Sequence, residues 1–141
     1  MEHTVTLTGP WPARETAKGW DHVGEHIARA CERSGGRYSA VTMFEALLQG
    51  QMQLWTIEKD GRIVACLVTE IVGYATGLQV LSFVVVTGLR RKEWIHLWPL
   101  LGEWGKGMGC ARIESWARPG WSREMKRHGW VETHRLIEKE L

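Results

Sequence analysis

Apolar and polar residues alternate along this chain in two different periods, and the changes of period mark its elements. Thr4 to Leu7 alternates weakly, as a short half-buried strand does, before Pro10 and Pro12 interrupt regular structure. From Ala17 to Glu32, the residues Trp20, Val23, Ile27, Ala30 and Cys31 recur at helical steps, so the spacing predicts an amphipathic helix that Ser34-Gly35-Gly36 ends. Ser39 is placed to cap a second helix running to Leu48, with Gly50 as its stop.

Strand-like patterns follow. Gln53 to Glu58 leads into Lys59-Asp60-Gly61-Arg62, where Asp-Gly supplies the positive φ values of a tight hairpin turn. Ile63 to Ile71 is almost continuously apolar, which predicts a central strand buried on both faces. Gly73 to Gly77 makes the next turn, and the Phe83-Val84-Val85-Val86 run within Leu78 to Val86 again asks for cover on both sides. The three strands are expected to form an antiparallel meander.

Thr87-Gly88 breaks that pattern, and Trp94, Trp98, Leu101, Gly105 and Met108 then trace a helical stripe. Pro99 lies inside it. A mid-helix proline removes a hydrogen bond and costs about 3 kcal/mol, so a kink near Ile95 or a helix restart at Pro99 is expected. After Gly109, Ala111 to Trp116 can pair parallel to the third meander strand through this crossover helix. A short basic helix follows, and then a last strand opened by Gly129-Trp130. The expected fold class is α/β (α+β mixed): one domain over residues 1–141, with a central mixed sheet of about six strands and helices on both faces.

Composition narrows the picture without naming a substrate. A chain of 141 residues can support one core, and a formal charge of +2 demands no polyanionic partner. Cys31, Cys66 and Cys110 are odd in number and widely spaced, which fits a reducing cytoplasm better than a disulfide framework or a thiolate zinc site. No apolar run approaches the roughly 20 residues of a membrane helix, and the N-terminus lacks a signal-peptide pattern, so a soluble protein with no membrane partner is expected. The nine tryptophans outnumber tyrosines and phenylalanines together, and most are expected in the core.

Several motifs offer chemistry, and most have a simpler use. His22-Val23-Gly24-Glu25-His26 matches the His-x-x-Glu-His pattern of inverted zinc peptidases, yet Gly24 within the helix and the want of a third ligand favour an exposed polar face, and no metal is expected. Gly105-x-Gly107-x-Gly109 follows a helix and precedes a strand, the reverse of the order phosphate binding needs, so it reads as a helix terminator. No Gly-x-Ser-x-Gly elbow is present, and no cysteine has a histidine beside it. Trp116, Arg118, Trp121, Arg123, Lys126 and Arg127 interleave aromatic and cationic groups as a nucleic-acid surface would, though core tryptophans beside solvated charges are the commoner arrangement, and nucleic acid is not the expected partner.

The element order resembles the GNAT superfamily of acyl-CoA-dependent N-acetyltransferases over nearly the whole chain. Sharper likeness lies in Gly109-Cys110-Ala111-Arg112-Ile113-Glu114, then Arg118-Pro119-Gly120-Trp121, then Gly129-Trp130. With Gln53-Leu54-Trp55 and Val68-Thr69-Glu70-Ile71, these segments are similar to the short GNAT-like proteins encoded by tailed bacteriophages.

That resemblance implies acetyl-CoA as cofactor and an amine as acceptor. It implies that the backbone of Val84, Val85 and Val86 pairs with pantetheine, and that Gly88, Arg90, Arg91 and Lys92 hold the pyrophosphate. Two departures stand out. The loop Thr87 to Glu93 has one glycine where the family pattern has two, and the position of the usual acid tyrosine, four residues before Gly129, is Met125. The third meander strand also lacks a carboxylate, which leaves Glu70 as candidate base, with Glu114 as a second possibility. The alternative is a non-catalytic phage particle-assembly or internal virion protein that binds a protein partner or nucleic acid. A phage setting implies the bacterial host cytoplasm, or packaging in the virion.

Overall fold

The computed structural model describes residues 4–88, 91–117 and 119–141. Strand β1 (Val5–Thr8) precedes helices α1 (Ala13–Glu32) and α2 (Ala40–Leu48), and the meander β2 (Gln53–Lys59), β3 (Arg62–Gly73) and β4 (Gln79–Gly88) follows. Two 3₁₀ turns lead to helix α3 (Trp98–Gly107), strand β5 (Arg112–Ser115) and helix α4 (Pro119–Lys126). The strands form one sheet in the order β1-β2-β3-β4-β5, antiparallel except for the parallel pair β4 and β5.

Local chemistry explains most boundaries. Helix α1 begins earlier than its apolar stripe, at Pro12, whose carbonyl accepts from Thr16 N at 2.9 Å, because proline is tolerated where no helical N–H is needed. Ser39 caps α2 as expected: its hydroxyl accepts from Thr42 N at 3.1 Å, while the Thr42 hydroxyl accepts from Ser39 N at 3.2 Å. Asp60 and Gly61 sit at φ 53° and 73°, the paired left-handed values of a tight hairpin turn. The stripe containing Pro99 is interrupted, with a 3₁₀ turn at Ile95–Leu97 and a fresh start at Trp98 that puts proline in the first helical turn.

The sheet carries a core on each face. On one, Val23, Ile27 and Cys31 of α1 and Met43 and Leu47 of α2 pack on Leu54, Cys66, Val68 and Val85. On the other, Trp94, Ile95, Trp98 and Leu101 pack on Trp55, Ile57, Ala65, Leu67, Leu81 and Phe83. The alternation Ala65, Cys66, Leu67, Val68 is buried throughout, so β3 is central and covered on both sides, as its apolar run requires.

The sheet has five strands, not about six. The segment opened by Gly129-Trp130 forms no strand. Trp130 N donates to Met125 O at 3.2 Å, which turns the chain back over the end of α4. Beyond it, ion pairs hold the tail: Arg135 to Glu132 at 2.8 Å within the segment, and Glu138 to the distant Arg37 at 2.7 Å. The Arg135 hydrogen bond and charge, with Lys126, hold the Glu132 carboxyl below its ordinary pKa. Ile137 is 90% exposed, so no apolar face drives this segment onto the edge of the short β5.

Candidate active site

Strands β4 and β5 are paired only from Val80↔Arg112 to Phe83↔Ser115. Beyond Phe83, β4 runs on to Gly88 while β5 turns into α4, so the outer edge of Val84 to Gly88 has no neighbouring strand. A bulge sharpens the separation. Val68 pairs with Val85 and Thr69 with Phe83, leaving Val84 as the extra residue that bends β4 and adds twist. Crevices at the carboxyl ends of parallel strands are where α/β sheets take up ligands.

A groove of about 1180 Å³ occupies this place, and its walls include β4 from Ser82 to Gly88, the end of α1, Trp116, Trp121 and Met125. Its two ends differ in charge. At one end the register sets Glu70 of β3 beside Ser82 of β4, and Ser82 beside Glu114 of β5, so two carboxylates on one sheet face bracket a serine. With strands about 4.8 Å apart, the two carboxylates project from backbones about 10 Å apart. Tyr74 Oη donates to Glu114 Oε1 at 3.5 Å. At the other end, about 20 Å along β4, the groove meets Lys59, Arg62 and Gly88. Arg29, Arg33 and Arg37, from the end of α1 and the loop after it, also line the groove, Arg37 with its guanidinium 6.0 Å from the Trp116 ring centre.

Several of these cations are paired at the surface: Lys59 with Glu93 at 3.0 Å, Arg29 with Glu25 at 2.8 Å and Arg37 with Glu138. Arg33 and Arg62 have no ion-pair partner among the described residues. Such exposed pairs contribute little, so an incoming polyanion can replace the carboxylates at small cost.

Of the residues expected from sequence, Glu70, Val84, Val85, Val86 and Gly88 all line the groove. Arg91 lies with its guanidinium 4.6 Å from the centre of the Trp121 ring, and Lys92 is exposed in the 3₁₀ turn outside the groove walls. Arg90 lies outside the described residues. Gly88, at φ +144°, has a packing role of its own: a Cβ there would fall 2.5 Å from Ala65 Cβ. The smallness of this glycine lets it pack closely on β3.

Met125, only 4% exposed, lines the groove among the aromatic side chains of α3 and α4. Its neighbour Trp98 is equally buried, and the Trp98 Nε1–H has no hydrogen-bond partner among the described residues. The three thiols are no alternative nucleophiles. Burial raises the pKa of all three, that of Cys66 to about 12, and keeps them protonated at neutral pH. His22 is exposed and Glu25 is engaged by Arg29, so the His-x-x-Glu-His segment is a polar helix face with His26 at the groove wall.

The arrangement is that of a GNAT acetyltransferase fold. No protein-family model and no curated protein matches the sequence. Among solved structures, the chain is similar to the aminoglycoside acetyltransferase AAC(6')-Iy in complex with a CoA-linked bisubstrate analogue, at 15% identity and TM-score 0.71, covering 100% of this chain and 99% of that one. It is similar also to a ribosomal-protein-alanine N-acetyltransferase from Brucella melitensis biovar Abortus 2308, at 13% identity and TM-score 0.64 over 99% and 100% of the two chains. A third, described as a predicted acetyltransferase from Clostridium acetobutylicum and solved with acetyl-CoA, shares 11% identity with TM-score 0.67 over 99% and 96%. At such identities the likeness establishes the fold.

Sequence reasoning did not select Trp98, Arg33 or Arg62 for the site. Arg33 and Arg62 look like ordinary turn-flanking charges, and only the return of α1 onto the sheet brings them to one groove. Glu114 carried a weak signal, a carboxylate in a predicted strand, but its alignment with Glu70 depends on the register of β4 with both β3 and β5.

Proposed function

We propose that this groove transfers the acetyl group of acetyl-CoA to an amine. The observation that carries the reading is the opposite charge of the two groove ends along an open, bulged strand edge. A phosphorylated, anionic cofactor with an amide-containing arm suits the cationic end and the free edge of Val84 to Val86, which offers N–H and C=O groups as a strand partner does. A protonated amine suits the end where Glu70 and Glu114 lie. Bound acetyl-CoA supplies an acyl group activated as a thioester. The protein attracts the amine as a cation, removes its proton at Glu70 directly or through one water, and shields the reaction with the aromatic wall; as the amine nitrogen bonds to the acyl carbon the C–S bond breaks, and CoA departs as a thiolate that takes its proton from solvent.

The free strand edge and the groove volume fit the acyl-pantetheine arm. Phosphate binding at Gly88 fits less well, since that glycine is packed on Ala65, and Arg62 is the better candidate for charge at that end. Titration calorimetry with acetyl-CoA and CoA tests the reading. Heat of binding and a raised Tm are expected, whereas neither effect at millimolar ligand would overturn it. Glu70→Gln is expected to lower kcat about 10–100-fold with little change in acetyl-CoA affinity.

A non-catalytic role, in phage particle assembly as the sequence resemblance implies, draws on different observations. Met125 cannot donate a proton, and Trp116 stands 70% exposed with the Arg37 guanidinium 6.0 Å from its ring centre. Binding of a protein partner through Trp116, with no response to acetyl-CoA, is the outcome that favours this second reading.

A further inference from the structure

The tail beyond Trp130 crosses from one face of the sheet to the other. Trp130 packs into the aromatic core under α3 and α4, its ring centre 5.7 Å from that of Phe83 and 5.9 Å from that of Trp98. Beyond it the chain has no regular structure, and Val131 and Ile137 are 80% and 90% exposed, so this tail belongs to neither core. Yet Glu138 Oε2 accepts from Arg37 Nη2 at 2.7 Å, and Arg37 lies in the loop between α1 and α2, the helices of the opposite face.

The crossing passes the groove, since Leu136 of the tail and Arg37 both line it. The Arg37 guanidinium is held in three directions. Its Nη1 donates to Ser34 O at 3.0 Å, its Nη2 to Glu138, and the Trp116 ring centre lies 6.0 Å away. Trp116 follows Ser115, which pairs with Phe83, so this latch stands where β4 and β5 separate, between the two charged ends of the groove. An exposed ion pair is weak, but tethering keeps the Glu138 carboxylate at an effective concentration on the order of millimolar. The tail therefore brings to the groove a carboxylate and an apolar side chain, the two kinds of group that an anionic ligand with an apolar arm carries.

We propose that residues 131–141 are an autoinhibitory strap: Leu136 and the Glu138–Arg37 latch hold the tail across the groove, and an entering acyl-CoA displaces it. The identity of that ligand rests on the acyl-transfer reading above. Charge favours competition over clamping. Glu138 brings a negative group to a groove whose ligand carries several, and it takes up a guanidinium that the ligand would otherwise meet. The released tail stays joined at Trp130, whose ring remains in the aromatic core, so the strap opens about that residue and closes again when the groove empties.

Two variants of the full chain, Glu138→Gln and Leu136→Ser, weaken the strap and leave the other groove walls alone. Titration calorimetry is expected to show each binding acetyl-CoA about two- to fivefold more tightly than the native chain. Glu140→Gln removes the same charge from the tail at a residue outside the latch, and is expected to bind as the native chain does. In nitrogen-15 NMR of the native chain, acetyl-CoA is expected to move the amide signals of Leu136 and Ile137 toward the positions they take in ligand-free Glu138→Gln. If neither variant binds more tightly, if Glu140→Gln matches Glu138→Gln, or if the tail signals stay in place while others move, the strap falls and acyl transfer stands. Weaker binding by the variants also overturns it, since the tail would then clamp the ligand instead of excluding it. If acetyl-CoA moves no signal in any of these chains, both readings fall.

Discussion

The two faces of the sheet are filled with different chemistry, and the difference locates the site. The face under α1 and α2 is mainly aliphatic and sulfur-containing, with Val23, Ile27, Met43, Leu47, Leu54, Cys66 and Val68 in mutual contact. The face under α3 and α4 holds six of the nine tryptophans: Trp55, Trp94 and Trp98 in its core, with Trp104, Trp121 and Trp130 packed against it. Flexible aliphatic chains fill space closely, and only the rim of this face, at Ala30, Ile63, Val84 and Val85, reaches the groove. Large rigid rings meet at fixed angles, and here they stop at the splay of β4 from β5, where Phe83, Trp98 and Trp121 become a groove wall.

That contrast can be broken at four places of decreasing effect. Phe83→Ala removes a ring that belongs both to the aromatic core and to the groove. A loss of about 3–5 kcal/mol is expected in denaturant unfolding, together with a smaller rise of Tm on adding acetyl-CoA. Leu54→Ala, fully buried on the aliphatic face, is expected to cost about 2–5 kcal/mol in the same experiment. Its remaining folded fraction should bind acetyl-CoA as the native chain does. Equal loss of ligand response in both variants would show that the two faces are not functionally distinct.

Cys66 gives a gentler probe of the aliphatic face. Its thiol titrates near 12 in the folded chain against an ordinary value of 9.0, because burial disfavours the thiolate. The unfolded chain therefore releases this proton first as pH rises. The contribution is fully present below pH 9 and is lost progressively as pH rises from 9 toward 12. Thermal melts across that window should show falling Tm, and Cys66→Ala should flatten the fall. The smallest effect belongs to the tail: Glu138→Ala breaks an exposed pair with Arg37 and is expected to change stability by at most about 0.5 kcal/mol.

Much of the fold was legible in the residues because local rules govern it. Ser39 capped α2, Asp60-Gly61 made the hairpin, Pro99 restarted a helix and Gly109 at φ +92° closed one. The final strand was misread because Gly129-Trp130 is only a start signal, and a strand also needs a neighbour with edge groups to share and apolar surface to bury. In the site, Glu70 and Val84 to Val86 could be selected from the chain alone. Arg33, Arg62 and the alignment of Glu114 with Glu70 could not, since each depends on elements distant in sequence.

The amino-acid order by itself thus determined the helices, the meander and the parallel return of β5, all of which follow from short-range periodicity and spacing. Tertiary structure decided where charge collects and which donors are left over. The register of β3, β4 and β5 sets two carboxylates on either side of Ser82, the return of α1 brings arginines to the wall of the same groove, and close packing of rings leaves Trp98 Nε1 without an acceptor among the described residues. Register and packing are properties of pairs of elements, so no single segment of the chain contains them.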